Sequence, residues 1–360
     1  LLITFIVLIN VGLTQVISKS LDADPFYVLL AITVFVFGYM MFGGANSMVY
    51  TNTIQAIIML IVAFMMIFSG VDLFEGGING FASKLNMIDP NLTKTFNESS
   101  PLYRDFFEVV ICQAIVGVAI VCQPHIMTKS LMLKNPEKVN SYLFFAIGSM
   151  TIFFLIVIAG LYARIMFPDL TVDGNKMKMD EIIPVYVVKR FSVAAGILVV
   201  VGLISAGLST LEGLIQSLSI TVTSDILEPV FGEKITKNGL VINKVVIVLL
   251  AVVSFYFSWN QMKEPNLSVG IFGQNGVYGY FAAAFVPVLF GTFVKNVKSS
   301  TVFAASVVAI VVHFGIFYLK LTPYMQGTVG NPGVSAAIAI CSSLFVAIIL
   351  HTFNKDKAVA

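Results

Sequence analysis

Three stretches of this sequence hold oxygen and nitrogen groups where apolar residues would cost less. The first is Gly43-Gly44 followed by Tyr50-Thr51-Asn52-Thr53-Ile54-Gln55. The second is Cys122-Gln123-Pro124-His125-Ile126, with Lys129 just beyond. The third is Ala206-Gly207-Leu208-Ser209-Thr210-Leu211-Glu212, continuing through Ser217, Ser219, Thr221, Thr223, Ser224 and Asp225. The chemistry open to the third run is coordination of a hard cation. Such an ion wants several oxygens, and apolar surroundings can supply them only as hydroxyls and backbone carbonyls. Ser209 and Thr210 are adjacent, and Ala206 offers a carbonyl one turn earlier. The plainer use of the same groups is bonding to carbonyls one turn back, or close helix contact, and residue types alone favour it. No Walker A pattern, no HExxH and no nucleophile–base pair occurs, so covalent catalysis and ATP-driven pumping lack residues and an enzyme is not expected.

The elements that position these groups follow from composition. Of the 360 residues, 58% are hydrophobic and 11% charged, against roughly 45–50% and about 25% in soluble chains. Twenty-one Lys+Arg and 19 Asp+Glu cannot cover the surface of a soluble globule of this size. A net charge of +2 gives no basic field for nucleic acid. The implied solvent is a lipid bilayer. Period-2 alternation is absent, which excludes a membrane β-barrel, and the fold class is an all-α polytopic helical bundle. A bilayer core needs roughly 20 apolar residues per helix. On that template about ten spans are predicted: 1–18, 25–42, 48–71, 105–127, 140–166, 192–222, 243–260, 267–291, 299–319 and 333–353.

Two connections, 72–104 and 167–191, carry most of the polar residues outside the spans, and alternation puts them on one side. The short loops 128–139, 225–242 and 292–298, with Lys355 and Lys357 of the tail, have the denser positive charge and are assigned to the cytoplasm. Cys112, Cys122 and Cys341 sit in apolar runs without paired spacing and read as packing residues. His125, His313 and His351 are far apart and read as structural. The chain opens on Leu1-Leu2-Ile3-Thr4-Phe5, already inside an apolar run, so a piece of a longer protein is expected.

Taken together, the three stretches resemble the sodium:solute symporter family, whose pattern runs GG…A…WTD..Q, then QPHI with a basic residue, then A..ST..S with a hydroxyl-rich tail. Order, spacing and apolar context match over nearly the whole chain. The departures are Asn52 for the family's Asp, Tyr50 for Trp, Cys122 for Gly, and Glu212 where a small polar residue or Asp is common. The resemblance implies a LeuT-like fold of two inverted five-helix repeats with a midplane site. On that mapping, residues 1–360 are a single transmembrane transporter domain. It would run from about core helix three onward and add two C-terminal peripheral helices. A fragment lacking core helix one is expected not to transport alone.

The resemblance also implies roles. Ala206, through its carbonyl, Ser209 and Thr210 become sodium ligands. Some members are thought to build an additional sodium site between the Asp of the WTD motif and hydroxyls one turn after the Ser-Thr pair. The matching positions here are Asn52 and Glu212, so these two are expected to approach each other and to hold a second cation or a proton. Gln113 and Gly117 mark where core helix six could unwind toward substrate. Gln274 and Asn275 are either pathway lining or a helix contact face. Gln123, Pro124 and His125 are either a gate or a helix terminus. The expected function is sodium-coupled import of a small organic solute by alternating access, as a monomeric, multi-pass unit in a plasma or inner membrane. Na+ is the coupling ion, lipid the surroundings, and no cofactor or nucleic acid takes part. Alternatives are a transporter-like sensor or receptor module, a proton-coupled member of the same fold, or a channel. The Gln-Pro-His-Ile string looks like that of proline-type members, but Val116 and Val118 flank Gly117 where an aromatic is expected. The solute stays open among amino acid, carboxylate, vitamin and sugar.

Overall fold

The computed structural model describes residues 2–42, 45–122, 126–127, 135–263, 268–327 and 329–359. In chain order the helices are α1 (Ile3–Leu21), α2 (Pro25–Met40), α3 (Ala45–Phe68), α4 (Gly77–Ile88), α5 (Gln113–Ala119), α6 (Val139–Leu155) and α7 (Ile158–Met166). They continue as α8 (Ile182–Arg190), α9 (Val193–Ile220), α10 (Glu228–Phe231), α11 (Glu233–Lys263), α12 (Val269–Phe293), α13 (Ser299–Tyr318) and α14 (Pro332–Val359). Among the described residues eight helical stretches are long and apolar enough to cross a membrane, while α2 and the run Phe107–Cys122 are apolar but shorter. Among the described residues, eight of the ten predicted spans fall on these long stretches, and the other two, 25–42 and 105–127, fall on the shorter ones.

Local chemistry sets the boundaries. The Asp24 side chain caps α2, accepting from the Phe26 N–H at 2.8 Å, and Pro25 fills a position that has no helical partner to lose. Asn331 does the same for α14, its Oδ1 accepting from the Gly333 N–H at 2.8 Å. The fourth predicted span is not one α-helix. A π-helical turn over Phe107–Cys122's first part, Phe107–Cys112, precedes α5, and a 3-10 turn, Ile120–Cys122, follows it.

The connections hold more structure than their polarity suggests. Residues 72–104 contain α4, whose Phe81 and Leu85, four apart, are buried. Residues 167–191 contain the antiparallel hairpin β1 (Thr171–Val172) and β2 (Asn175–Lys176), and then α8. Asp173 and Gly174 at the hairpin tip both have positive φ, the signature of a type I′ turn.

The chain forms two compact units. One comprises Ile6–Lys94 and Leu133–Val269, the other Leu1–Phe5, Thr95–Met132 and Gly270–Ala360. In the first, Val62, Met66, Phe81, Leu85, Tyr162, Tyr186 and Val199 share one core. The Phe74 and Phe81 rings stack at 4.3 Å. Arg190 of α8 bonds the Ser69 carbonyl at 2.6 Å and pairs with Asp72, so α8 and the start of the 72–104 connection meet at one end, as alternation requires. Lys19 at the end of α1 reaches Glu181 at that end too, at 3.4 Å. In the second unit, Val286, Phe290, Ala305 and Ala347 join α12, α13 and α14.

Candidate functional site

The hydroxyl-rich run lies on α9, whose neighbours are set by two close approaches. A Cβ on Gly202 would stand 2.4 Å from Val62 Cγ2, so only glycine lets α3 come this near. Met66 shares a core with Val199, four residues on along α3 and three back along α9, so the two helices run antiparallel. The inward stripe of α3 includes residues 52, 55, 59, 62 and 66, the spacing of one helical face. Ten residues from Val62 back to Asn52, and ten from Gly202 on to Glu212, climb about 15 Å along each axis. By this count Asn52 and Glu212 lie equally far along their helices from the Val62–Gly202 contact, as do Gln55 and Ser209.

Glu212 is 4% exposed. Its Oε1 accepts the Tyr39 hydroxyl of α2 at 2.5 Å, while its Oε2 is buried without a partner. Asn52 Oδ1 and Gln55 Oε1 are buried without partners as well. All three atoms are acceptors. Below them, the hydroxyls of Ser209 and Thr210 donate to the Ala206 carbonyl at 3.2 and 2.9 Å. This is the back-bonding that residue types alone favoured. It leaves lone pairs on both hydroxyl oxygens and gathers three oxygens within one turn.

A third wall went unnoticed in the sequence. Leu13 of α1 fills the space over Gly207, and Ser20 and Leu21 lie in one cleft with Val193, Gly196 and Ile197. Helix α1 therefore runs antiparallel to α9, which puts Asn10 level with Thr210. Asn10 is fully buried, and neither its Nδ2 nor its Oδ1 has a partner. Neither Asn10 nor Tyr39 belongs to a recognisable motif. An amide inside an apolar helix is itself the signal that could have found Asn10.

The remaining predicted residues disperse. Gln113 and Gly117 both lie on the α-helical piece α5 and are exposed, and the irregular winding falls before and after them. The Gln113 amide comes against Gly333 at the start of α14. Gln274 is exposed while Asn275 is buried, so the two neighbours do not line one surface. Asn275 belongs to a helix contact: its Nδ2 donates to the Tyr318 hydroxyl at 3.3 Å, and its carbonyl lies 2.9 Å from His313 Nε2. The other His313 nitrogen meets Ser335 Oγ at 3.1 Å, which makes this histidine a strut between α12, α13 and α14. Gln123, Pro124 and His125 lie outside the described residues.

A second acidic cluster was also missed. Glu108 is fully buried in the π-helical turn. Its Oε2 accepts from the Arg104 N–H at 2.8 Å, its Oε1 from Asn331 Nδ2 at 2.9 Å, and the Arg104 guanidinium stands 3.6 Å away. Next to it, the Glu108 N–H and the Tyr324 hydroxyl both donate to Asp105, at 2.8 and 2.7 Å. These bonds hold the Asp105 carboxyl below the usual carboxylate range, the Glu108 N–H having the larger effect. The bond to Asp105 in turn pushes the Tyr324 phenol up to about 12.

Comparison with known proteins gives the arrangement its context. The family model described as the sodium:solute symporter family matches residues 1–309. A sodium/pantothenate symporter of Haemophilus influenzae is 28% identical over 54% of this chain and 38% of its own length. A sodium/proline symporter of Staphylococcus saprophyticus is 24% identical over 81% of this chain and 56% of its own. A sodium/sialic acid symporter of Aliivibrio fischeri is 25% identical over 64% of this chain and 46% of its own. The chain thus spans between about two fifths and just over half of these relatives. Among solved structures, one described as the substrate-bound outward-open state of a Na+-coupled sialic acid symporter matches with a TM-score of 0.69. It is 15% identical, and the match covers 96% of this chain and 71% of that one.

Proposed function

The chain belongs to the sodium:solute symporter family and has its LeuT-like, multi-pass membrane fold, and from that premise we propose that the natural protein imports a small organic solute by sodium-coupled alternating access. Family and relatives are transporters, not enzymes. The observation that carries the reading is the half-paired Glu212. An acid inside an apolar span faces a cavity or a partner, and this one keeps an oxygen buried without a partner, as do two amide oxygens on α3. A cation among them would satisfy all three at once.

Two sodium positions follow. One uses the Ala206 carbonyl with the Ser209 and Thr210 hydroxyls. The hydroxyls keep lone pairs for the ion, and ligation by the Ala206 carbonyl would displace at least one of the two back-bonds. The other uses Glu212 with Asn52. The exchange of Asp for Asn at position 52, and of a small residue for Glu at 212, keeps one acid and one neutral oxygen while moving the charge to α9. Gln113 and Gly117 on the fourth span, and Gln274 on α12, are the proposed contacts to solute, Asn275 being taken up by the helix contact to Tyr318 and His313. Gln123, Pro124 and His125 form the proposed gate segment. A monomer is the proposed transport unit.

The test is uptake into vesicles holding the full-length natural protein. Labelled pantothenate, proline, glucose and sialic acid, the solutes named in its relatives, form the first panel. An inward sodium gradient is expected to drive accumulation of one of them, and choline in place of sodium to abolish it. Accumulation that ignores sodium and follows a proton gradient would transfer the reading to the proton-coupled alternative.

A further inference from the structure

We infer that Tyr39 is a positioning residue of the cation pocket: its hydroxyl, reaching from α2 to Oε1 of Glu212, turns the carboxylate so that Oε2 stays free for the ion. This inference rests on the reading of Glu212 as an ion ligand. A bond of 2.5 Å falls in the short range of a hydroxyl donating to a charged carboxylate. Tyr39 occupies the last turn of α2, and its ring meets that of Phe35 one turn earlier at 5.4 Å. The donor is therefore held by its own helix. A carboxylate with one oxygen fixed from a neighbouring helix can present the other in one direction only.

What surrounds Oε2 explains why the arrangement is a poor strut and a good ligand. Helix α9 packs against α2, α3 and α11, with α1 closing over Gly207. On α3, the Asn52 and Gln55 amide oxygens are likewise buried without partners. From α11, Lys244 sits over the Phe42 ring at 5.0 Å, just past the end of α2. From α1, Asn10 stands level with Thr210, on the face of α9 that carries Gly207. A glutamine at 212 would keep an acceptor for the Tyr39 hydroxyl while removing the charge. The carboxylate instead leaves one buried oxygen unpartnered, which a cation would satisfy.

The experiment is a sodium titration of solute uptake by the full-length protein carrying Tyr39→Phe, Glu212→Gln, or both. Tyr39→Phe removes one hydroxyl and keeps the ring, and thermal unfolding of each variant checks that the fold is retained. Tyr39→Phe is expected to raise the sodium concentration for half-maximal uptake roughly tenfold, the scale of one charge-assisted hydrogen bond. The maximal rate, and the solute KM at saturating sodium, are expected to stay at their natural values. In the Glu212→Gln background the same change is expected to add nothing, since its target is gone. Natural sodium dependence in Tyr39→Phe, alongside weakened sodium in Glu212→Gln, overturns the positioning role and leaves the pocket standing. Natural sodium dependence in Glu212→Gln overturns the pocket itself. Equal losses in sodium affinity, solute affinity and maximal rate would make Tyr39 a packing residue, and overturn the inference too.

Discussion

Two buried glutamates of this chain have opposite surroundings. Glu108 is fully buried, and both of its oxygens are taken by the Arg104 N–H and the Asn331 amide, with the Arg104 guanidinium close by. Glu212 is nearly as buried, yet only one oxygen has a donor. Burying a carboxylate is costly whichever surroundings it has. At Glu108 both oxygens have donors, although Arg104 Nη1 beside it is buried without a hydrogen bond. At Glu212 one oxygen goes without. The difference separates the two acids: the bonds of Glu108 hold an irregular helix start against the head of α14, while Glu212 keeps one oxygen for the proposed ion.

The contrast is sharpest in stability. Glu108→Ala removes the acceptor for a buried N–H, an amide and a guanidinium, and is expected to lower unfolding stability by about 3–5 kcal/mol, read from thermal or denaturant unfolding in detergent. Glu212→Gln, under the same measurement, is expected to leave stability near the natural value, because no donor loses its acceptor. Equal losses would erase the distinction between the two acids. Next in size is Gly202→Ala. Its new methyl would collide with the β-branched Val62, which cannot swing away, so α3 and α9 must separate at about 1–3 kcal/mol. Sodium affinity is expected to fall with it, because this contact sets the heights of Asn52 and Gln55.

Ser209→Ala and Thr210→Ala act on the site without opening the core. Each is expected to weaken sodium by about 1–3 kcal/mol if the lost oxygen goes unreplaced, with expression little changed. Unchanged sodium dependence in both would return these hydroxyls to back-bonding alone. The smallest effect is one of pH at the closed cluster. The Asp105 carboxyl lies below its unfolded value, so its contribution is present above about pH 4 and lost as the pH falls further. Tyr324 lies above its unfolded value, so its contribution holds up to about pH 10 and is lost as the pH climbs through about 12. Hydrogen exchange over residues 323–331 is expected to quicken at both extremes, and Tyr324→Phe to abolish the alkaline limb.

Much of this was legible in the sequence, because a bilayer imposes one simple demand on it. Runs of about 20 apolar residues located every span, and the antiparallel α3 and α9 follow from counting them. The Ser209-Thr210 pair and Glu212 stood out because polar groups are expensive in such runs. The rest depended on pairing at a distance. Tyr39 and Glu212 lie 173 positions apart, and a tyrosine at a helix end is ordinary until its partner is known. Glu108 and Asn331 are 223 apart, and the acid looked like part of a span entrance. Helix α4 was hidden by its polar face, although Phe81 and Leu85 have helical spacing. Gln274 and Asn275 misled because adjacency in sequence puts side chains about 100° apart on a helix: one is exposed, and the other joins His313.

The central claim is that the open oxygen of Glu212 belongs to a sodium ion, and equilibrium binding of radioactive sodium to the purified full-length protein tests it without requiring the solute. The natural protein is expected to bind sodium saturably, and Glu212→Gln to lose about tenfold or more in affinity, or to lose one of two binding phases, while melting at nearly the same temperature. Binding curves that superimpose, with the same number of ions per protein, would contradict the claim.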